Sequence, residues 1–330
     1  MKTRVTIGIA LVLTVLAMAS LFTGRAQETN QAGQSAAGSQ QPPPNPLKVA
    51  LLKWYPANIV PTTFPVGPSP YAVAFDGANI WVANNASTTV SKLRANDGAV
   101  LGTFTVGNAP IGLAFDGANM WVSNEAAGTV SKVRVSDGTV LGTFNVGPAP
   151  FWMAFDGANI WVPNNNNTVV KLRASDGKTL GTFTVGSGPI AVAFDGANVW
   201  VTNNASNTVS KLRASDGTTL GTFSVGFQPL GIAFDGASMW IANRGDGTVT
   251  KLRASDGTPL GTFTVFGEPY GLAFDGANIW VAAGGKVVEL RASDGTTVGH
   301  FSPGTNVTGV AFDGANVWVA GFDTNNVFKF

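Results

Sequence analysis

A short motif, Phe-Asp-Gly with a tryptophan six residues after the phenylalanine, occurs seven times in this chain of 330 residues. Successive copies are separated by 40, 40, 39, 40, 40 and 38 residues. A period near 40 residues, with short apolar segments and no helical pattern, is typical of a propeller in which each repeat forms one four-stranded blade. The sequence therefore predicts an all-β fold, a seven-bladed β-propeller of antiparallel blades. The motifs begin at Phe75, Phe115, Phe155, Phe194, Phe234, Phe274 and Phe312.

The first repeat shows how one blade is expected to form. Residues 71–75 are a short apolar run suited to the innermost strand, and residues 80–83 form the second strand. Residues 89–94 alternate polar and apolar, which predicts a half-exposed third strand, and residues 101–106 form the outer strand. Asp-Gly sequences follow strands one and three, where a tight hairpin favours residues that tolerate a positive φ.

The residues that recur in every repeat are interpreted as structural. Phe and Trp are expected to fill the space between twisted blades, because flat aromatic side chains bury a large apolar area. The basic residues of the third strand, such as Lys92 and Arg94 or Lys211 and Arg213, are expected to be solvated or paired with turn aspartates. Function rarely requires seven copies of one residue, so we assign these columns to the fold.

The last repeat supplies only three strands, at residues 310–312, 317–319 and 327–330. Residues 61–67 match the outer-strand sequence of the other repeats and are expected to supply the fourth strand. Closure of this kind removes exposed sheet edges, and an outermost strand tolerates proline. We expect deletion of residues 48–67 to destabilise the whole ring, which the melting temperature of the truncated protein would test.

The N-terminal part of the chain is expected to lie outside the propeller. A basic start, an apolar run and small residues before candidate cleavage sites predict a signal peptide in residues 1–26. An uncleaved membrane anchor is the alternative, because the run is about long enough to span a bilayer. Residues 27–47 form a low-complexity Gln/Gly/Ser/Pro linker, and residues 48–330 form the propeller. We therefore expect a secreted, periplasmic or cell-surface protein, with membrane contact only if the leader is retained.

Charge and cysteine content exclude several classes of function. The predicted propeller carries 17 basic and 18 acidic residues, once those before residue 48 are removed from the totals of 20 and 19. A nucleic-acid partner is not expected, because it requires clustered Lys and Arg. The chain has no cysteine, which excludes disulfides, thiolate metal ligands and a cysteine nucleophile. We expect no cofactor and no bound metal, and a monomer.

One face of the predicted ring carries the residues that break the repeat. Loops after strand two and after strand four share this face, and four of the five non-repeated acidic residues of the propeller fall in them. Trp152 stands where the other repeats have alanine or glycine, so we expect it to project near the channel axis. The predicted ligand-binding residues are Tyr71, Glu125, Phe151, Trp152, Arg244, Asp246, Glu268, Tyr270 and Asp323.

Two interpretations of this face are open. In the first, the aromatic residues and the charges orient a protein, peptide or glycan ligand at the channel mouth. In the second, Trp152 is a plug that fills the channel, and the loops vary because surface loops tolerate change. Catalysis needs a titratable group with a partner in reach. The carboxylate candidates come from four different repeats, and we assign no catalytic residue. These candidates are Glu125, Asp246, Glu268 and Asp323.

Residues 198–204 (Asn-Val-Trp-Val-Thr-Asn-Asn), with residues 208–212 and 221–226, resemble the Tyr-Val-Thr-Asn (YVTN) repeat. That repeat builds seven-bladed propellers of exported YncE-like and surface-layer proteins, and Trp stands here where Tyr is frequent. The resemblance covers about residues 60–330 and implies a binding module. Some members bind DNA, which the charge balance of this chain does not support.

The short glycine-rich blades also resemble, more distantly, those of the streptogramin (virginiamycin B) lyases. That resemblance implies a histidine base and Mg²⁺ near the central channel. The one histidine, His300, is expected on the outer strand of blade six, exposed to solvent. The sequence thus favours an exported propeller that binds a ligand or partner at its variable face. A metal-dependent lyase or hydrolase and a structural cell-envelope protein are the alternatives.

Overall fold

The computed structural model describes residues 61–330, which form seven sheets of four antiparallel strands each. The innermost strands of neighbouring blades contact one another around the whole ring, including those of blades seven and one. The predicted seven-bladed β-propeller is therefore confirmed.

The N-terminal predictions lie outside the described residues. They comprise the signal peptide or anchor (1–26), the linker (27–47) and the first part of the predicted propeller (48–60). Within residues 61–330, the structure contains no helix of the length and apolar character needed to cross a membrane.

The blades follow one another in chain order, and each begins with its innermost strand. Strand β1 (Thr62–Pro65) precedes blade one, which contains β2 (Pro70–Phe75), β3 (Asn79–Asn84), β4 (Thr89–Arg94) and β5 (Val100–Thr105). Blade two contains β6 (Pro110–Phe115), β7 (Asn119–Asn124), β8 (Thr129–Arg134) and β9 (Val140–Asn145). Blade three contains β10 (Ala154–Phe155), β11 (Asn159–Asn164), β12 (Thr168–Arg173) and β13 (Thr179–Thr184). Blade four contains β14 (Pro189–Phe194), β15 (Asn198–Asn203), β16 (Thr208–Arg213) and β17 (Thr219–Ser224).

The remaining blades repeat the same order. Blade five contains β18 (Pro229–Phe234), β19 (Ser238–Asn243), β20 (Thr248–Arg253) and β21 (Pro259–Thr264), with a 3-10 turn (Arg244–Asp246) after β19. Blade six contains β22 (Pro269–Phe274), β23 (Asn278–Ala283), β24 (Lys286–Arg291) and β25 (Thr297–Phe301). Blade seven contains β26 (Val307–Phe312), β27 (Val317–Gly321) and β28 (Asn326–Lys329).

Strand β1 closes the ring by completing blade seven, as predicted. It pairs antiparallel with β28, with Thr62 opposite Lys329 and Pro65 opposite Asn326. Because β1 is the outermost strand of its sheet, Pro65 has no second neighbouring strand that would require its missing N–H.

The apolar core is divided into seven clusters, and each cluster lies between two adjacent blades. Trp81 of blade one, for example, packs with Met120 and Val122 of blade two. Trp81 also lies against Phe104 of its own outer strand, with ring centroids 5.5 Å apart, and all seven blades repeat this pair. The predicted role of the aromatic columns as filling between blades is confirmed.

The aspartate of each motif serves both the turn and the tryptophan. In blade one, Asp76 Oδ1 accepts hydrogen bonds from the backbone N–H groups of Ala78 (2.9 Å) and Asn79 (2.7 Å), while Oδ2 accepts one from Trp81 Nε1 (2.8 Å). Burial raises the pKa of Asp76, but the hydrogen bonds from Trp81 and the turn outweigh burial and lower it. All seven blades contain this Asp–Trp bond. It explains why the motif keeps a constant spacing between its aspartate and its tryptophan.

The prediction of a half-exposed third strand with solvated lysines is wrong. Lys132 is only 8% exposed, and its Nζ lies 5.2 Å from the ring centroid of Trp121 and donates to the Ala174 carbonyl of blade three at 2.6 Å. Backbone carbonyls of the next blade thus replace water around the ammonium group, and the tryptophan ring adds a cation–π interaction. The buried lysines of this column are Lys92, Lys132, Lys171, Lys211 and Lys251.

The arginines of the third strand behave as predicted. Arg94 Nη1 lies 2.8 Å from Asp97 Oδ2 in the adjacent turn, and both side chains are about half exposed. Six blades contain this pair. Two basic residues that are two positions apart therefore have opposite environments, because one points between blades and the other points to solvent.

The small residues at the start of the inner strands lie where neighbouring blades approach one another closely. A Cβ atom at Gly112 or at Gly271 would lie 2.5 Å from a carbonyl oxygen of the next blade, so the column is small because the blades approach closely. The larger Trp152 side chain does not fit this close approach between blades, and the inner strand of blade three has two residues, where the other inner strands have six. Instead, Trp152 forms a parallel bridge to Ala191 of blade four.

Candidate ligand-binding site at the channel mouth

A cavity of about 140 Å³ lies at the ring axis between the inner strands of all seven blades. The residues that line it are Gly, Ala, Val, Leu, Ile, Met and Trp. Among the residues that the structure describes, none that lines this cavity can gain or lose a proton. The axial cavity therefore offers no group for acid–base chemistry.

A second cavity, of about 550 Å³, lies on the variable face, and we call it the mouth cavity. Blades one, five, six and seven supply its walls, which are aromatic, charged and amide side chains. The residues that line it are Tyr71, Arg244, Glu268, Tyr270, Gly284, Asn306, Thr308, Phe322 and Asp323. Five of the predicted ligand-binding residues are thus brought together.

Two positions of the repeat supply most of this lining. The inner column is the second residue of the innermost strand, or the equivalent residue of the repeat in blade three, where that strand is shorter. The loop column is the residue that directly follows strand two. The inner column consists of Tyr71, Ile111, Phe151, Ile190, Leu230, Tyr270 and Thr308. The loop column consists of Asn85, Glu125, Asn165, Asn204, Arg244, Gly284 and Phe322.

Arg244, Glu268 and Tyr270 form one side of the mouth cavity. The Nε and Nη2 atoms of Arg244 both donate to Glu268 Oε2, at 2.9 and 2.8 Å. The guanidinium carbon lies 5.0 Å from the ring centroid of Tyr270. The hydrogen bond to Glu268 raises the pKa of Arg244. The guanidinium group therefore stays charged, with the Tyr270 ring against its face and the Glu268 carboxylate at its edge.

The two tyrosines of the cavity are uncharged at ordinary pH. Burial raises the pKa of Tyr71 to about 12. Repulsion from Tyr270, once that phenol ionises, and from the Glu125 carboxylate adds to the effect, and Arg244 opposes it. Burial also raises the pKa of Tyr270, where Arg244 lowers it and Glu268 raises it. Each phenol therefore presents a neutral hydroxyl group that can donate a hydrogen bond.

Three aromatic side chains form an arc from the axis to the mouth cavity. The rings of Trp152 and Tyr71 have centroids 5.7 Å apart, and those of Tyr71 and Phe322 are 6.1 Å apart at 83°, an edge-to-face contact. Trp152 Nε1 donates to the Ile111 carbonyl at 3.1 Å, which holds the indole across blade two. Trp152 lines the axial cavity and touches Tyr71, so it lies at the boundary between the two cavities.

Hydrogen bonds fix the other side of the mouth cavity. Asn306 Nδ2 donates to Asp323 Oδ2 at 2.6 Å, which orients that carboxylate. Thr308 Oγ1 donates to the Tyr71 carbonyl at 2.9 Å, which joins blade seven to blade one beneath the Tyr71 ring. The polar groups therefore have set positions within the protein itself.

Four predicted residues do not line the mouth cavity. Asp246 is exposed and accepts a hydrogen bond from the Phe227 backbone N–H at 2.6 Å, which is a local loop contact. Glu125 is partly buried in blade two and acts on Tyr71 through its charge. Phe151 contacts blade two, where its carbonyl accepts a hydrogen bond from Ser123 Oγ at 2.7 Å. Trp152 lines the axial cavity instead of the mouth cavity.

Sequence reasoning missed Asn306, Thr308 and Phe322. Phe322 occupies the same column as Glu125 and Arg244, which were found by their charge. Thr308 is the one hydroxyl-bearing aliphatic residue in the otherwise apolar or aromatic inner column. Alignment of each column by position, rather than a search for charge, would have found both. Asn306 belongs to the irregular crossing between blades six and seven, for which the repeat offers no matching position.

The residues present do not fit the histidine and Mg²⁺ chemistry that the lyase resemblance implies. His300 is exposed on β25, the outermost strand of blade six, as predicted, whereas inner strands and loops form the mouth cavity. Within residues 61–330 there is no group of three or more His, Cys, Asp or Glu side chains placed to hold a metal ion. Of the four carboxylate candidates, Glu268 and Asp323 line the mouth cavity, and Glu125 and Asp246 do not.

Comparison with known proteins supports the fold. No protein-family model and no curated protein sequence matches the chain. Among solved structures, the chain is similar to Kuenenia stuttgartiensis hydrazine synthase, with a TM-score of 0.72 and 18% identity over 80% of this chain and 95% of that one. It is also similar to a streptogramin B lyase, with a TM-score of 0.69 and 17% identity over 82% of this chain and 96% of that one. Similarity at this level of identity shows a shared architecture, and the chain is a seven-bladed β-propeller.

Proposed function

We propose that this chain is an exported binding module that holds a ligand or partner at the channel mouth. The observation that carries the proposal is the convergence of non-repeated side chains from four blades on one cavity of about 550 Å³. Cavities of roughly 300–1,000 Å³, with aromatic walls and a few oriented polar groups, suit small molecules and single side chains of a peptide.

The loop column supports this proposal, because in two blades its residue joins neighbouring blades. In blades one and four, Asn85 and Asn204 donate their side-chain amides to the proline carbonyl of the next blade, at 3.4 and 3.2 Å. Phe322 has no donor with which to make this bond, and Arg244 donates to Glu268 instead. Blades five and seven therefore lack this contact between blades, and their loop-column side chains line the mouth cavity instead.

The rigidity of the cavity walls supports binding as well. Arg244 is held by Glu268, Asp323 by Asn306, and Tyr71 by the bond from Thr308 to its carbonyl. A site whose groups are already ordered loses less conformational entropy when a ligand binds. The inner strands beneath these residues are part of a closed ring, which limits their movement further.

Export and the closer kinship are proposed from the sequence. The basic and apolar leader of residues 1–26 supports secretion, with a retained anchor as the alternative. The repeat of residues 198–226 supports placement among the YVTN propellers, which are binding modules of the cell exterior. An enzyme of the lyase or hydrolase type and a structural envelope protein are the outcomes against which the binding function is tested.

A thermal-shift screen of the purified full-length chain tests the proposal. The probes are basic peptides, neutral glycans, peptidoglycan fragments and divalent metal salts, because a ligand that binds only the folded state raises its melting temperature. We expect a shift that needs no metal and that is lost in Tyr71→Ala. The matched control is Asn204→Ala, which alters the loop column in blade four, away from the mouth cavity, and should keep the shift.

Other outcomes of the screen would redirect the proposal. A shift that requires a divalent metal would favour the enzyme alternative. No shift from any class of probe would overturn the binding function, and self-association in the same samples would then favour a structural role.

A further inference from the structure

We infer that the mouth cavity binds an organic cation, an alkylammonium or guanidinium group, against Tyr71, Phe322 and Asp323. This inference rests on the proposed function and names the chemistry of its ligand. It comes from a comparison of the two sides of the cavity.

One side of the cavity already holds a guanidinium group, which belongs to the chain itself. Arg244 lies over the Tyr270 ring and donates two hydrogen bonds to one oxygen of Glu268. An aromatic face with a neighbouring carboxylate is the combination that stabilises a partly desolvated cation. Arg244 therefore shows which kind of group these walls accept.

The other side repeats the combination without a cation from the chain. Tyr71 and Phe322 meet edge to face, and Asp323 lines the same cavity. Within residues 61–330, Asp323 has no salt bridge and neither ring has a cation above it, whereas Glu268 and Tyr270 have Arg244. Asn306 binds one oxygen of Asp323 and leaves the other oxygen for a ligand.

The charge of the mouth cavity favours a cation over an anion. Its charged lining residues are Arg244, Glu268 and Asp323, and the first two neutralise each other. The carboxylate of Glu125 adds negative charge within range of Tyr71. A neutral sugar would also find aromatic faces and hydrogen-bond acceptors here, so it is the competing class that the experiment must separate.

Calorimetric titration of the full-length chain with a matched pair of probes separates these classes. Choline and 3,3-dimethylbutan-1-ol have nearly the same shape, but only choline is charged. We expect choline to bind roughly twofold to thirtyfold more tightly, the range that a cation–π interaction supplies. N-acetyl-lysine methylamide and a short Lys/Arg peptide distinguish a small amine from a polypeptide as the source of the cation. A neutral disaccharide represents the competing class of uncharged ligands.

Variants assign the binding to this side of the cavity. Asp323→Asn and Phe322→Leu should each weaken choline binding, whereas Asp97→Asn should not, since Asp97 is a turn carboxylate on the opposite face. Asp323 is exposed, so its variant should keep the melting temperature of the parent, which the same samples report.

Each outcome decides the inference. Preference for the charged probe, with loss in Asp323→Asn, supports it, and tighter binding of the peptide would identify a basic polypeptide as the source. Equal affinity for choline and its neutral isostere would overturn it. Binding of the disaccharide without binding of any cation would also overturn it, but would leave the proposed binding function in place. No binding by any of these probes would overturn the inference, and the thermal-shift screen with its further probe classes would then decide the binding function.

Discussion

The two faces of the ring use the same repeat in opposite ways. On the turn face, Asp76 and its equivalents bind a tryptophan in every blade, and Arg94 and its equivalents pair with a turn aspartate in six blades. On the variable face, one position holds asparagine in three blades but arginine, glutamate, glycine or phenylalanine in the other four. A residue that recurs at one position of the repeat thus indicates a contact that stabilises each blade. A position where the residue varies indicates a side chain that is available for binding.

Blade six contains the one departure in the lysine column. Glu289 stands where the other blades have lysine, and it accepts a hydrogen bond from Asn278 Nδ2 at 2.8 Å. Burial, and after it the charge of Asp275, raise the pKa of Glu289. Trp280 beside it is the one motif tryptophan that is not fully buried. The boundary between blades six and seven therefore lacks the bond from a lysine to a neighbouring carbonyl that the other boundaries share.

The largest contrast between the faces is expected between two tryptophans. Trp121→Ala should lower the free energy of unfolding by about 3–5 kcal/mol, because it empties a cluster between blades and deprives Asp116 of a donor. Trp152→Ala should cost about 1–2 kcal/mol, since its ring is half-buried and makes one hydrogen bond. Equilibrium denaturation in guanidinium chloride measures both. Equal losses would contradict the contrast and favour the plug interpretation of Trp152.

A smaller contrast is expected between the two basic columns of the third strand. Lys132→Met keeps the length of the side chain but removes the donor to the Ala174 and Ser175 carbonyls, at a cost of about 1–3 kcal/mol. Arg134→Ala should have no measurable effect, because its pair with Asp137 is exposed and screened. Both variants are compared in the same denaturation experiment. A Lys132→Met protein as stable as the parent would mean that the lysine column does not link the blades.

The repeat predicted the parts of the fold that depend on a single blade or on chain order. The spacing of the motif predicted the number of blades, and the residues before Tyr71 predicted the closing strand. The burial of Lys132 was not predictable from the sequence of its own strand. The carbonyls that accept its hydrogen bonds, in place of water, belong to the next blade. The departure of Trp152 from the small-residue column predicted its place near the axis, but its bridge to Ala191 of blade four depends on the backbone of a neighbouring blade and was not predictable.

The candidate site was predictable only in part. Charge identified Arg244 and Glu268, and aromatic character identified Tyr71 and Tyr270. Their convergence on one cavity depends on how the loops of separate blades are placed around the axis, which local sequence does not specify.

Acid should reduce the stability that the turn face contributes, and alkali should reduce the stability that the variable face contributes. Burial raises the pKa of Asp116, but the hydrogen bonds from Trp121 and the turn together outweigh burial and lower the pKa from its usual 3.8. The stabilisation from this carboxylate is therefore present above pH 3.8 and is lost as the pH falls through the folded-state pKa. Tyr71 has a pKa raised from 10.0 to about 12, so its contribution is present below pH 10 and is lost as the pH rises towards 12. Melting temperatures across this range should show a smaller acid loss in Asp116→Asn and a smaller alkaline loss in Tyr71→Phe. An unchanged alkaline limb in Tyr71→Phe would show that the phenol does not resist ionisation as the cavity predicts.

The smallest effect on stability and the sharpest effect on binding are expected together, at Arg244. Its pair with Glu268 is exposed on the variable face, so Arg244→Ala should change the free energy of unfolding by less than about 1 kcal/mol. The same change vacates the Tyr270 ring and the Glu268 carboxylate, which then resemble the side formed by Tyr71, Phe322 and Asp323. Titration with ethylguanidinium should therefore give one site in the parent and two in Arg244→Ala, and Glu268→Gln in the Arg244→Ala background should remove the second. A single site in both proteins would mean that the two sides of the mouth cavity are not equivalent in chemistry, and that Arg244 serves the loop rather than marking a place for a cation.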